Sequence, residues 1–195
     1  MEDIWLGITH ITDFEGFDHM LYLVALAAWA DLQNTWRILL MATAFTLGHS
    51  ITLAMAGLDW VRPNGAWIEF LIPVSILFTA LYNTRRQLTQ NRRGPESQTG
   101  FDALGYAVTL GFGLIHGLGF STFFRMTRDG AEALVWGLLK FNLGVELGQI
   151  CILLVFLFMA SLIRGFGVTP REQQLFFAGS AAGLSLIMAL ERVPF

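Results

Sequence analysis

Long apolar runs alternate with short polar breaks along the chain. No Asp, Glu, Lys or Arg occurs between Arg37 and Asp59, from Ala103 to Phe124, or from Gln173 to Leu190. Uncharged apolar runs of roughly 18 or more residues are long enough to cross a bilayer as helices. Six spans follow: about Phe17 to Ala30, Thr35 to Ala56, Ala66 to Tyr82, Leu104 to Phe124, Leu138 to Ile163, and Glu172 to Leu190. The first is the weakest, bounded by Asp18 and Asp31, and Ala131 to Trp136 reads as a lead-in turn to the fifth. Ile4 to His10 reads as a short helix lying at the membrane surface, anchored by Trp5. The expected fold class is all-α, a polytopic transmembrane helical bundle forming one domain over residues 1–195.

Composition agrees. The chain is 54% hydrophobic and 14% charged, against about 25% charged in an ordinary soluble domain. The opening Met-Glu-Asp-Ile has no basic segment of the secretory kind, so the first apolar stretch is expected to stay as an uncleaved anchor. The single cysteine, Cys151, excludes an intramolecular disulfide and reads as a small apolar filler. Basic residues are scattered over loops, so no nucleic-acid partner is expected; the partners are the lipid bilayer and a metal ion.

Orientation comes from the basic loops. The stretch 83–102 is a polar linker holding Arg85, Arg86, Arg92 and Arg93, and basic loops stay in the cytoplasm. With six spans, that side carries seven basic residues against five on the other. Both termini are then expected outside the cytoplasm, in a bacterial cytoplasmic (inner) membrane. No internal repeat is evident in the sequence. The small residues Gly179 to Gly183 of the last span offer a contact for a homo-oligomer.

Depth can now be assigned. His49 lies about 12 Å, His116 about 13 Å and Glu146 about 9 Å from the outer edge, at 1.5 Å of rise per helical residue. His19 and Glu69 open their spans on the same side, with Asp18 beside His19. Five helices thus place an imidazole or carboxylate in the outer half of the bilayer. Such residues persist in lipid where they are paired, solvated or bound to something. Asn142, Glu146 and Gln149 share one helical face, as do Thr46, His49 and Ser50. Each residue also has a plainer reading. His49 and His116 could bond neighbouring helices, Asp18 could cap its helix, Glu69 could favour the helix dipole, and His10 could be solvated at the surface.

Taken together, imidazoles with carboxylates suit a divalent transition metal: nickel, cobalt or zinc. The expected ligand set is His10, Asp18, His19, His49, His116 and Glu146, with Thr46, Ser50, Asn83, Asn142 and Gln149 as pathway or supporting groups. The HExxH spacing of zinc proteases and the G-x-S-x-G elbow are absent.

The motifs Gly16-Phe17-Asp18-His19, Phe45-Thr46-Leu47-Gly48-His49-Ser50-Ile51-Thr52-Leu53 and His116-Gly117-Leu118-Gly119-Phe120 resemble the HupE/UreJ family of small bacterial membrane proteins. They match its branch with GxDH, FTxxHSxTL and HGxGF. Glu69, Asn83 and the stretch Phe141 to Gln149 are similar to that branch's third- and fifth-span residues. His10 stands two residues further from Asp18-His19 than the family spacing. The resemblance implies a nickel or cobalt permease. The alternative is a membrane-embedded metalloenzyme, in which a zinc-type ion activates water. Glu146 or Glu69 would be its catalytic base, and a lipid or membrane-proximal peptide its substrate. Metal sensing or storage is a third option. Below Gln149 the fifth span reads as wholly apolar, so the sequence offers little inner half to a transport path.

Overall fold

A computed structural model describes residues 1–14, 16–28, 35–90, 103–126 and 131–195, without side-chain detail at 86–90, 121–126 and 131–133. Its elements are α1 (Glu2–Thr12), α2 (Asp18–Ala27), α3 (Thr35–Gly57), α4 (Gly65–Gln90), α5 (Ala103–Met126), α6 (Ala131–Gly165) and α7 (Pro170–Glu191). There is no strand among the described residues. The protein is an all-helical membrane bundle. Five helices, α3 to α7, are long and apolar enough to cross a bilayer.

Three expectations shift. The first span appears as α2, only 10 residues long, which reaches about 15 Å and is too short to cross alone; residues 29 and 30 lie outside the described residues. The lead-in turn before the fifth span is instead continuous helix, making α6 35 residues long. The polar stretch expected from 83 continues α4 as helix to Gln90, while 91–102, with Arg92 and Arg93, lies outside the described residues.

Backbone contact through glycine organises the bundle. A Cβ on Gly48 would strike the Leu110 carbonyl, and one on Gly113 would strike that of Phe45. In register with these, a Cβ on Gly117 would strike the His49 carbonyl, so α3 and α5 run parallel in backbone contact. The α1–α6 pair repeats this arrangement. Gly7 abuts the Phe141 carbonyl, Gly144 that of Ile4, and Gly148 lies over Ile8 and Ile11. In each pair the struck carbonyl lies three residues before the partner's glycine. Only glycine permits such approach. The fold therefore contains a packing repeat that side-chain similarity does not reveal. It also moves α1 from its expected place at the membrane surface to the flank of α6, leaving Trp5 66% exposed.

Helix α7 packs on α4. Ala181 and Met188 join Ile68, Ile72, Ile76 and Ala80 in one apolar cluster. Thr169 and Glu172 form a reciprocal capping box at its start. Gly179 and Gly183 face open space.

Candidate metal centre

Four helices deliver the histidines to one place. Their ring centroids lie 4.7 Å apart for His10–His19, 5.6 Å for His10–His49, 5.8 Å for His19–His49 and 5.1 Å for His19–His116. His10, His19 and His49 each offer a ring nitrogen within 4.8 Å of the other two. His116 stands beside His19, outside that triplet. The glycine contacts explain the convergence. The α3–α5 pair sets His49 against the helix of His116, and the α1–α6 pair carries His10 in from the opposite flank. Phe45, Phe120 and Phe141 wall the group, with Phe141 stacked 6.2 Å from His49 and Phe120 4.1 Å from His10.

Two partners fix ring orientation. The Asp18 carboxylate accepts from Nδ1 of His19 at 2.8 Å and from the His19 backbone N–H at 2.8 Å. A carboxylate behind an imidazole holds it in the tautomer that frees the far nitrogen and raises its basicity. Ser75 does the same for His116. Its hydroxyl donates to the Ile72 carbonyl at 2.7 Å, so it accepts from Nε2–H of His116 at 2.9 Å, leaving Nδ1 with a lone pair. The nitrogens left without a hydrogen bond are His10 Nε2, His19 Nε2, both of His49, and His116 Nδ1, all buried. Buried polar atoms are nearly always satisfied. An unpartnered set this dense offers converging imidazole lone pairs, the donor chemistry that suits a divalent transition metal.

His10, His19 and His116 line an open vestibule of about 450 Å³, together with Asp13, Gly16, Glu69, Gly119 and Arg192, and His49 packs against His10 and His19. Glu69 is exposed at its mouth. Arg192, at the end of α7, reaches within 3.8 Å of Asp18. Three carboxylates against one guanidinium make this mouth favourable to cations.

The expected residues are distributed unevenly. His10, Asp18, His19, His49 and His116 gather here. Asp18 does not cap α2: Phe17 occupies that position and Asp18 is the first helical residue. Glu146 lies outside the triplet and bonds Thr43 at 3.4 Å on an exposed edge of α3. Phe141 is the α6 residue whose ring meets the imidazoles, and Glu146 follows it by five residues. Thr46 and Gln149 bond each other at 3.0 Å, Ser50 donates to the Thr46 carbonyl, and the Asn142 Oδ1 is unpartnered. Asn83 lies at the far end of α4, fully buried. Ser75, Asp13 and Arg192 were not singled out by the sequence. Ser75 lacks any local motif, although its helical spacing to Thr79 and Asn83 was available.

A family model described as HupE / UreJ protein matches residues 1–191. No curated protein matches the chain, and no solved structure does.

Proposed function

The chain belongs to the HupE/UreJ family, and on that premise we propose that it is a membrane permease for a divalent transition metal of the nickel or cobalt type. One observation carries the reading: five buried imidazole nitrogens without partners, from four helices, cluster beside an acid-lined vestibule into which His10, His19 and His116 open. The carboxylates Asp13, Asp18 and Glu69 draw the cation in. His10, His19 and His49 take it, with His116 adjacent, while Asp18 and Ser75 hold two of the rings in their binding tautomers. Neutral imidazole suits nickel, cobalt and zinc alike, so the donors select a class of ion. The vestibule opens away from the cytoplasm, the arginine-rich stretch after α4 lies within it, and the membrane is the bacterial cytoplasmic one.

Uptake of radiolabelled nickel, cobalt or zinc by reconstituted vesicles tests the proposal. Accumulation that is abolished by His49→Ala supports it. A purified protein that retains its ion tightly and moves none would favour the metalloenzyme, with Glu69 at the mouth as the available base.

A further inference from the structure

Helix α6 leaves its half of the bundle beyond the histidines apolar, and α4 does not. Ser75, Thr79 and Asn83 recur every four residues on α4, so they share one face, and all three are buried. The stripe begins at Ser75, the partner of His116. It ends at Asn83, which lies fourteen residues beyond Glu69, about 21 Å along the helix. The stripe's hydrogen bonds run in one sense. Thr79 donates to the Ser75 carbonyl at 2.9 Å, and the Asn83 amide donates to the Ala25 carbonyl at 2.7 Å. The Thr79 hydroxyl hydrogen and one Asn83 amide hydrogen are thus committed to backbone, which leaves the side-chain oxygens with lone pairs.

Two further oxygens join them. The fully buried Tyr22 hydroxyl faces Thr79 and Thr109 and makes no hydrogen bond of ordinary geometry. Asn83 Oδ1 is likewise unpartnered, on a side chain with no solvent exposure. Buried polar atoms are nearly always satisfied, so oxygens left in this state suit a ligand that accepts their lone pairs. A cavity of about 100 Å³ adjoins them, lined by Thr79, Thr109 and Asn83 among apolar residues, with room for several waters. The Tyr22 ring lies 5.3 Å from that of His116 and is stacked 4.6 Å from Phe45, and its hydroxyl faces Thr79 and Thr109, which line this cavity.

We infer that Tyr22, Thr79, Thr109 and Asn83 form a second cation site, an oxygen-donor station through which the partly hydrated ion leaves the histidines toward the far end of the bundle. The inference rests on the transport reading. The change of donor supplies the direction of release: imidazole binds late first-row metals more tightly than hydroxyl and amide oxygens do, so the ion passes from a strong site to a weak one. Tyr22 reaches both, by its ring and by its hydroxyl, and is the side chain that must turn aside.

The test uses full-length protein in proteoliposomes loaded with nickel or cobalt, reading equilibrium binding and uptake separately. The Thr79→Val/Thr109→Val double variant removes both hydroxyls and keeps side-chain volume. It is expected to bind metal within threefold of wild type and to transport at least tenfold more slowly. Thr79→Ser/Thr109→Ser, which restores the oxygens, is expected to transport within threefold of wild type. Asn83→Leu supplies the same reading if the valine variant does not fold. Wild-type uptake in the valine or leucine variant overturns the station and leaves the permease standing. Equal loss in the serine and valine variants also overturns it, because packing and not oxygen would then be responsible. Wild-type protein that binds metal and transports none removes the permease reading itself.

Discussion

The Asp18 carboxylate sits 2.8 Å from Nδ1 of His19, and this turns the His19 Nε2 lone pair toward His10 and His49. Asp18 was expected as a ligand. The bond makes it the group that orients one, with its second oxygen 3.8 Å from Arg192.

Asp18→Asn keeps the size of the side chain and removes its charge. Loss of such a carboxylate behind a ligating imidazole lowers metal affinity by about 10- to 100-fold. We expect that loss in a competition titration, with the melting temperature of the purified protein little changed. Unaltered affinity would mean that His19 does not depend on Asp18 for its tautomer.

Glu146 provides the contrasting case. It lies outside the group of His10, His19 and His49 and bonds Thr43. Glu146→Gln is therefore expected to leave the number of bound ions unchanged, as measured by metal analysis after gel filtration. A loss of bound metal would return Glu146 to the ligand set.

The glycine contacts predict a position-specific stability effect. Gly48→Ala must separate α3 from α5, because the new Cβ collides with the Leu110 carbonyl. Overpacking of this kind costs about 1–3 kcal/mol. Gly179→Ala meets nothing within 4 Å and is expected to be neutral. Thermal unfolding in detergent compares the two, and a Gly48→Ala protein as stable as Gly179→Ala would contradict the packing described.

Much of the site could be read from sequence because helix rise converts residue number into depth. His49 and His116 lie in uncharged runs with clear ends, so their shared level was calculable, and His19 followed from its place at a span start. Azimuth was harder. Without knowing which α6 residue faces the rings, the sequence ranked Glu146 with the histidines and passed over Phe141, whose ring contacts His10 and His49. The placement of α1 was hidden because its anchor is a backbone contact at Gly7, which leaves no hydrophobic period to read. The repeat of the α3–α5 contact in α1–α6 was hidden for the same reason: it preserves glycines and carbonyls, not side chains. The polar face of α4 was visible as Ser75, Thr79 and Asn83 at helical spacing, but hydroxyls bonded within their own helix are common, and only Ser75's contact with His116 gives the stripe a meaning. The first span was over-read, since its apolar run contains a helix of only ten residues among those described.

The account depends most on His10, His19 and His49 forming one ion site with His116 beside it, and titration of the purified protein with nickel, cobalt or zinc, followed by metal analysis, tests that directly. One tightly held ion per chain is predicted from one ligand cluster, lost in His19→Ala or His49→Ala and weakened in His116→Ala. Wild-type protein that takes up no ion, or histidine variants that hold it as firmly as wild type, would contradict the account.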